Sequence, residues 1–172
     1  NIACENCADG IGLLRTEFLY IGKDRLPTEE EQFKAYKVIA EKMDGKPLII
    51  RTLDIGGDKN VPYLKVVKEA NPFLGVRGIR LCFENIEVFK DQIRAILRAG
   101  SFGNVKMMFP MVTTLNEVRR AKDIVNEVKN ELNDKKILFD SDIEIGIMVE
   151  VPTVALSADL FIKEVDFFSI GS

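Results

Sequence analysis

Histidine and tryptophan are absent from this sequence of 172 residues, and cysteine occurs only three times. Without histidine the chain can carry no phosphohistidine, no Ser-His or Cys-His nucleophile and no histidine-rich zinc site. Cys4 and Cys7 have the spacing of half a zinc ribbon, but no second pair of that kind supplies the other two ligands. We interpret these two residues and Cys82 as reduced cytosolic cysteines.

Long apolar runs and an excess of one charge are lacking too. The 24 basic and 27 acidic residues give a net charge of -3, which argues against a general nucleic-acid binder, because affinity for the phosphate backbone is built from excess Lys and Arg. No run is long enough to cross a membrane, and no leader pattern opens the chain. We therefore expect one cytoplasmic domain without nucleic-acid or membrane partners, in which any anion site is local.

Short apolar runs alternate with longer amphipathic stretches. Runs without polar alternation suit strands that are buried on both faces, as in parallel sheets. Strands separated by single helices predict either a doubly wound sheet or a β/α barrel, and because a complete barrel needs about 250 residues, the barrel would be incomplete, with about six parallel strands. The six candidate strands are Ile11 to Arg15, Leu48 to Thr52, Ile79 to Phe83, Val105 to Phe109, Ile143 to Glu150 and Val165 to Ile170.

Four helices have readable starts or stops. Two capping boxes, Thr28 with Glu31 and Thr114 with Glu117, predict helix N-termini. A third helix is predicted from about Ile86 to Ala99, and proline at position 152 favours a fourth helix that continues through Leu156 and Leu160. Their apolar stripes indicate core packing, which concerns the fold and not the function.

Two candidate strands end in the same dipeptide, as LLRT and LIIRT. Because strand C-termini converge on one edge of a parallel sheet, Arg15 and Arg51 are expected to face one space, where their forked guanidinium groups suit phosphate or carboxylate oxygens. The alternative is that each arginine has its own structural carboxylate. Glu17 lies near Arg15 in the sequence, and Asp54 and Asp58 lie near Arg51.

A glycine-containing turn, LDIGGDK, follows the second strand. Gly56 and Gly57 could let backbone N-H groups approach an anion, but the segment fits neither the Walker nor the dinucleotide-binding pattern, so a simple tight turn is an equal interpretation. Farther on, Arg77 and Arg80 stand three residues apart, and at least one of them is expected to point to the same edge.

Glu150 follows an apolar run at the end of a candidate strand. It is a candidate ligand for Mg²⁺, which takes one or two carboxylates together with waters and phosphate oxygens. The alternative is a structural partner for one of the arginines, because spacing alone pairs no second carboxylate with Glu150.

Seven blocks in order resemble one family, over about Asp9 to Gly171. The family is enzyme I of the bacterial sugar phosphotransferase system, a phosphoenolpyruvate-protein phosphotransferase, and the resemblance is to its C-terminal barrel, which binds phosphoenolpyruvate (PEP). The blocks are GIGLLRTEFLY, LPTEEEQF, IIRTLDIGGDK, NPFLGVRGIRL, KMMFPM, GIMVEVP and VDFFSIG.

The resemblance implies roles for four residues. Arg15 and Arg51 would hold the phosphoryl group, Arg77 would assist near the phosphate and enolate end, and Glu150 would be one of two Mg²⁺ ligands. It also implies transfer of the phosphoryl group to a histidine on a separate domain and then to a phosphocarrier protein, by an enzyme that forms homodimers.

The departures from the family pattern shape the expected domain. Residues 1–172 would form a single partial PEP-binding barrel without the phosphohistidine domain, the last barrel strands and the second Mg²⁺ ligand, which the family carries after the SIG segment. We expect the isolated piece to be inactive. The alternatives are a piece of a pyruvate phosphate dikinase or PEP synthase, whose barrels share the RTE-like element, or a non-catalytic dimerisation module.

Overall fold

Five short parallel strands form one sheet in the part of the chain that the structure describes. This computed structural model describes residues 8–56, 63–64 and 75–171. The strands lie side by side in the order in which they occur along the chain. They are β1 (Ile11–Leu14), β2 (Leu48–Arg51), β3 (Val105–Phe109), β4 (Ile145–Val149) and β5 (Phe167–Ile170).

Helices cover the sheet and connect its strands. They are α1 (Glu29–Lys42), α2 (Ile79–Glu84), α3 (Ile86–Gly100), α4 (Leu115–Asp134), α5 (Pro152–Leu156) and α6 (Ala158–Phe161), with a 3-10 helix at Glu17–Leu19. A doubly wound sheet would reverse its strand order at a switch point, and the order β1 to β5 contains no reversal. The prediction of an incomplete barrel is therefore confirmed. No helix of the described ranges is long and apolar enough to cross a membrane.

The main core lies between the sheet and the helices α1, α3 and α4. In β2, Leu48 and Ile50 are fully buried among apolar side chains, whereas Arg51 alternates with them and lies on the opposite face of the sheet. On that inner face a guanidinium Nη1 of Arg51 lies 3.9 Å from the sulfur of Met148 in β4, across the intervening strand β3. The sheet thus separates an apolar outer face from an inner face that carries charge.

One predicted strand is wrong. Residues Ile79 to Phe83 belong to α2, which begins after Gly78 in a left-handed conformation with φ of 54°. The prediction rested on the lack of polar alternation in this run, but a short apolar run has no periodicity that separates a buried helix from a buried strand. The thiol of Cys82 in this helix is free and buried, and burial raises its pKa. Cys4 and Cys7 lie outside the described residues.

Three of the four predicted helices are confirmed in position, and both capping boxes form with reciprocal hydrogen bonds. The fourth is wrong as a single helix, because the chain breaks at Ser157 into α5 and α6. Leu156 is 86% exposed, so the core is contacted instead by Val154 and Phe161.

A close backbone contact joins α1 to the segment that follows α3. A β-carbon added at Gly103 would lie 2.8 Å from the carbonyl oxygen of Ala40 and 3.1 Å from its carbonyl carbon. Both neighbours belong to helical backbone, which cannot move aside as a flexible side chain would. Glycine is therefore required at position 103 by space.

We expect Gly103→Ala to destabilise the fold by about 1–3 kcal/mol, as overpacking does. Gly12→Ala is the matched control, because no atom lies within 4 Å of the added β-carbon there. Its free energy of unfolding should stay within about 0.5 kcal/mol of the parent. Urea unfolding followed by circular dichroism measures both, and equal stability of the two variants would contradict the packing argument.

Candidate anion site at the carboxyl ends of the strands

Charged side chains gather where the parallel strands end. Arg15 comes directly after β1, Arg51 is the last residue of β2, and Glu150 comes directly after β4. Because all five strands run the same way, these positions lie at one edge of the sheet. At the same edge, the Thr16 hydroxyl donates a hydrogen bond of 3.0 Å to the carbonyl oxygen of Arg51, which joins the ends of β1 and β2.

Arg51 is buried and held between two carboxylates. Its Nη2 lies 2.7 Å from Oε1 of Glu17, and its Nη1 lies 3.1 Å from Oδ2 of Asp54. All three side chains are less than a tenth exposed. The remaining guanidinium nitrogen, Nε, is buried and has no hydrogen-bond partner among the described residues. A buried N-H without an acceptor costs free energy, so this nitrogen is an energetically unfavourable point of the ion-pair group.

Asp54 binds a second arginine as well. The Nε and Nη2 of Arg77 both lie 3.1 Å from Oδ1 of Asp54, and Nη2 lies 3.2 Å from Oδ2. One carboxylate therefore holds two guanidinium groups, which would repel each other without it. Glu17, Arg51, Asp54 and Arg77 form an alternating row of charges whose sum is zero.

Arg51 thus has a structural carboxylate, as the alternative interpretation proposed, and Asp54 is one of the two partners named for it. Arg51 has two carboxylates, and one of them is Glu17, which the sequence order associates with Arg15 instead. Asp58 and Gly57 lie outside the described residues.

Glu150 and Arg77 line one cavity of about 580 Å³. The backbone N-H of Met111, just after β3, donates a hydrogen bond of 2.7 Å to Oε1 of Glu150. Met111 has a positive φ of 58°, which turns the chain sharply at this point. Arg80 also lines the cavity, so both arginines of the pair in the sequence reach this edge.

Protein atoms around the Glu150 carboxyl group raise its pKa. Desolvation is the largest cause, and the negative charge of Asp54 adds to it. The hydrogen bond from Met111 and the charges of Arg51 and Arg77 act in the opposite direction. The charges of Asp54, Arg51 and Arg77 therefore affect the pKa of Glu150, although Glu150 is not part of that row of ion pairs.

Arg15 joins none of the ion pairs that the described residues form. Its side chain is exposed, whereas Thr16 and Glu17 beside it are buried. The structure thus brings Arg51 and Arg77 together through Asp54, brings Arg77 and Glu150 to one cavity, and leaves Arg15 in solvent at the same edge of the sheet.

Of the described carboxylates at this edge, Glu150 could hold Mg²⁺, because it lines the cavity. Among the described residues no three Cys, Asp or Glu side chains come together in a metal-binding cluster. Asp54 is occupied by two arginines, whereas Glu150 engages only Oε1 in a hydrogen bond with these residues. A single carboxylate with waters and substrate oxygens is a usual way for proteins to bind Mg²⁺.

A buried network of neutral polar groups lies behind the arginines. The Gln92 side chain in α3 donates from Nε2 to the hydroxyls of Thr16 at 3.1 Å and Tyr36 at 3.2 Å. Its Oε1 accepts a hydrogen bond of 2.8 Å from the backbone N-H of Leu53. Gln32 in α1 accepts from the hydroxyls of Tyr20 and Tyr36. Within this network Gln92 contacts the backbone that follows β2, and Thr16 contacts the carbonyl of the last residue of β2.

Sequence analysis missed Gln92, although a signal was present. Gln92 lies on the inward side of α3, between the apolar residues Phe89 and Ile96, and is completely buried with them. A glutamine on an apolar stripe needs hydrogen-bond partners inside the protein. Its partners could not be named from the sequence, because they lie 39, 56 and 76 positions away.

Comparisons with known proteins match the whole chain to one family. Residues 1–172 match the family described as PEP-utilising enzyme, PEP-binding domain. The chain is 58% identical over 168 residues to the phosphoenolpyruvate-protein phosphotransferase of Priestia megaterium, a match that covers 98% of this chain and 29% of that protein. It is 57% identical over 168 residues to the proteins of that name from Bacillus subtilis (98% of this chain, 30% of the relative) and Staphylococcus carnosus (98% and 29%).

The chain spans less than a third of the length of the curated relatives that it matches, but the family match covers the chain from end to end. The chain therefore belongs to the family of PEP-binding domains of PEP-utilising enzymes.

Proposed function

We propose that this chain is the PEP-binding part of a phosphoenolpyruvate-protein phosphotransferase of the sugar phosphotransferase system. The observation that carries the proposal is the pair of guanidinium groups held on Asp54, at the edge of the sheet where Glu150 lines the adjoining cavity. The names of its relatives favour a phosphotransferase over a pyruvate phosphate dikinase or a PEP synthase.

In this proposal Arg51 and Arg77 would orient the phosphoryl group, and Arg15 would supply net positive charge. Glu17 and Asp54 already neutralise Arg51 and Arg77, so these two would supply N-H donors in fixed directions for phosphoryl oxygens. Arg15 is exposed and unpaired among the described residues, so it supplies the net positive charge that attracts a PEP anion.

Glu150 would hold Mg²⁺ in this proposal. The ion would neutralise phosphoryl and enolate oxygens, as metal ions do in other phosphoryl transfers. Within the described part of the chain, the work left to protein groups is orientation of the phosphoryl group by Arg51 and Arg77 and of the Glu150 carboxylate by the Met111 N-H.

The acceptor would come from outside this chain, because the sequence contains no histidine. A phosphohistidine domain of the same cytoplasmic enzyme would take the phosphoryl group and pass it to the phosphocarrier protein. In the proposal residues 1–172 form one partial barrel of a homodimeric enzyme, and this part alone binds PEP weakly without turning it over.

Arg15→Ala tests the proposal with little risk to the fold, since the side chain is exposed. We expect the affinity for PEP with Mg²⁺ to fall by about tenfold, the size of one charge-assisted hydrogen bond. Titration of PEP into the ¹⁵N-labelled chain, followed by NMR, detects binding even in the millimolar range.

Lys163→Ala is the matched control, because Lys163 is exposed and precedes β5, at the opposite edge of the sheet. It removes the same charge and should leave PEP affinity unchanged. Equal affinity of the parent, Arg15→Ala and Lys163→Ala would reject the role of Arg15, and no binding by the parent would reject the proposed function.

Mg²⁺ affinity should depend on pH through Glu150. Only the ionised carboxylate binds the cation, and the pKa of Glu150 is raised mainly by desolvation. Affinity should therefore be complete above this raised pKa and decline as the pH falls through it, at a higher pH than for an ordinary glutamate.

Mg²⁺ titrations at several pH values, followed by the amide resonance of Met111, measure this dependence. Glu150→Gln should abolish the response. Glu144→Gln, at the other end of β4, should retain it, because Glu144 pairs with Lys106 away from the cavity. A Met111 response to Mg²⁺ that survives Glu150→Gln would disprove the assignment.

A further inference from the structure

The Gln92 side chain fixes the backbone on both sides of Thr52. Thr52 lies in the loop of residues 51–54, which ends at Asp54, the carboxylate that binds both arginines. Its Nε2 donates to Thr16, whose hydroxyl donates to the carbonyl of Arg51. Its Oε1 accepts from the N-H of Leu53. The carbonyl before Thr52 and the N-H after it are therefore fixed by one buried amide, directly or through one hydroxyl.

Chemistry dictates the orientation of this amide. The carbonyl of Arg51 can only accept a hydrogen bond, so the Thr16 hydroxyl must donate its single proton to it. Thr16 then accepts from Gln92, which places Nε2 on that side, while the Leu53 N-H requires the oxygen on the other. Both ends of the amide are thus determined by backbone groups, and a flipped amide would leave both contacts unsatisfied.

The loop fixed in this way is the one on which both arginines depend. Arg51 and Asp54 stand at its two ends, and Asp54 holds Arg77 as well. The carbonyl of Leu53 receives a further contact, at 3.8 Å, from the thiol of Cys82 in α2. Side chains from two helices therefore hold the N-H and the carbonyl of the residue just before Asp54.

We infer that Gln92 is a positioning residue for the anion site, which sets the geometry of the Arg51–Asp54–Arg77 group through the backbone of residues 51–54. Gln92 is fully buried and does not line the cavity shared by Arg77 and Glu150, so it acts through the loop and not on a ligand. The inference rests on the proposed function for its ligand, PEP, but its structural half stands on these contacts alone.

The test compares Gln92→Met with Gln32→Met. Both glutamines are completely buried and hydrogen-bonded to Tyr36, so both variants lose buried hydrogen bonds and both should be destabilised. Only Gln92 contacts the backbone of the loop. We expect Gln92→Met to shift or broaden the Nε-H resonance of Arg51 and to lower PEP affinity by about tenfold, and Gln32→Met to leave both unchanged.

Thr16 provides a second pair of variants should Gln92→Met fail to fold. Thr16→Val removes the hydroxyl between Gln92 and the Arg51 carbonyl with little change of shape, whereas Thr16→Ser keeps the hydroxyl. We expect Thr16→Val to reproduce the altered Arg51 resonance and the weaker PEP binding. We expect Thr16→Ser, which keeps the hydroxyl, to keep both close to the parent values.

The outcomes separate this inference from the proposed function. A parent chain that does not bind PEP contradicts the proposed function, while the Arg51 Nε-H resonance still decides whether Gln92 sets the geometry. An Arg51 resonance that is unchanged in Gln92→Met and Thr16→Val, or changed equally in Gln32→Met, overturns the inference. So does unchanged PEP affinity in the folded Gln92 and Thr16→Val variants when the parent binds.

Discussion

One carboxylate holding two guanidinium groups is the constraint on which the rest of the site depends. Without Asp54, Arg51 and Arg77 would be neighbouring like charges with most of their hydration removed. With Asp54 and Glu17 the four charges cancel, so Arg51 can remain buried beside the partly exposed Arg77 while their N-H groups keep fixed directions. A site for a phosphorylated acid needs donors that are already in place when the ligand arrives.

Support for this group comes from neutral hydrogen bonds. Gln92, Thr16 and Tyr36 meet in the core behind the sheet, and burial raises the pKa of Tyr36, so that its hydroxyl stays protonated and can donate. Neutral groups are less costly to bury than charges and hold the loop just as directionally. The ionic row and the neutral network share the backbone of residues 51–54, through which α3 influences a cavity that Gln92 does not line.

Prediction from the sequence succeeded where the signal was local or periodic. The capping boxes at Thr28 and Thr114 occur in the structure, and so do the first two predicted strands, each of which ends one residue earlier than predicted. It failed at residues 79–83, where a short apolar run fits either a helix or a strand, and at Ser157, where the chain breaks a helix that proline starts. Neither failure moves a residue away from the edge that carries the arginines.

The sequence by itself determined which side chains stand at the ends of the strands and, through the resemblance, the family of the domain. The tertiary structure alone decided how the charges pair. Glu17 lies two positions from Arg15 but pairs with Arg51, 34 positions away, and Gln92 reaches Thr16 across 76 positions. The reason is physical: local periodicity encodes which face a residue occupies, whereas ion pairs and buried hydrogen bonds depend on how separate elements pack in three dimensions.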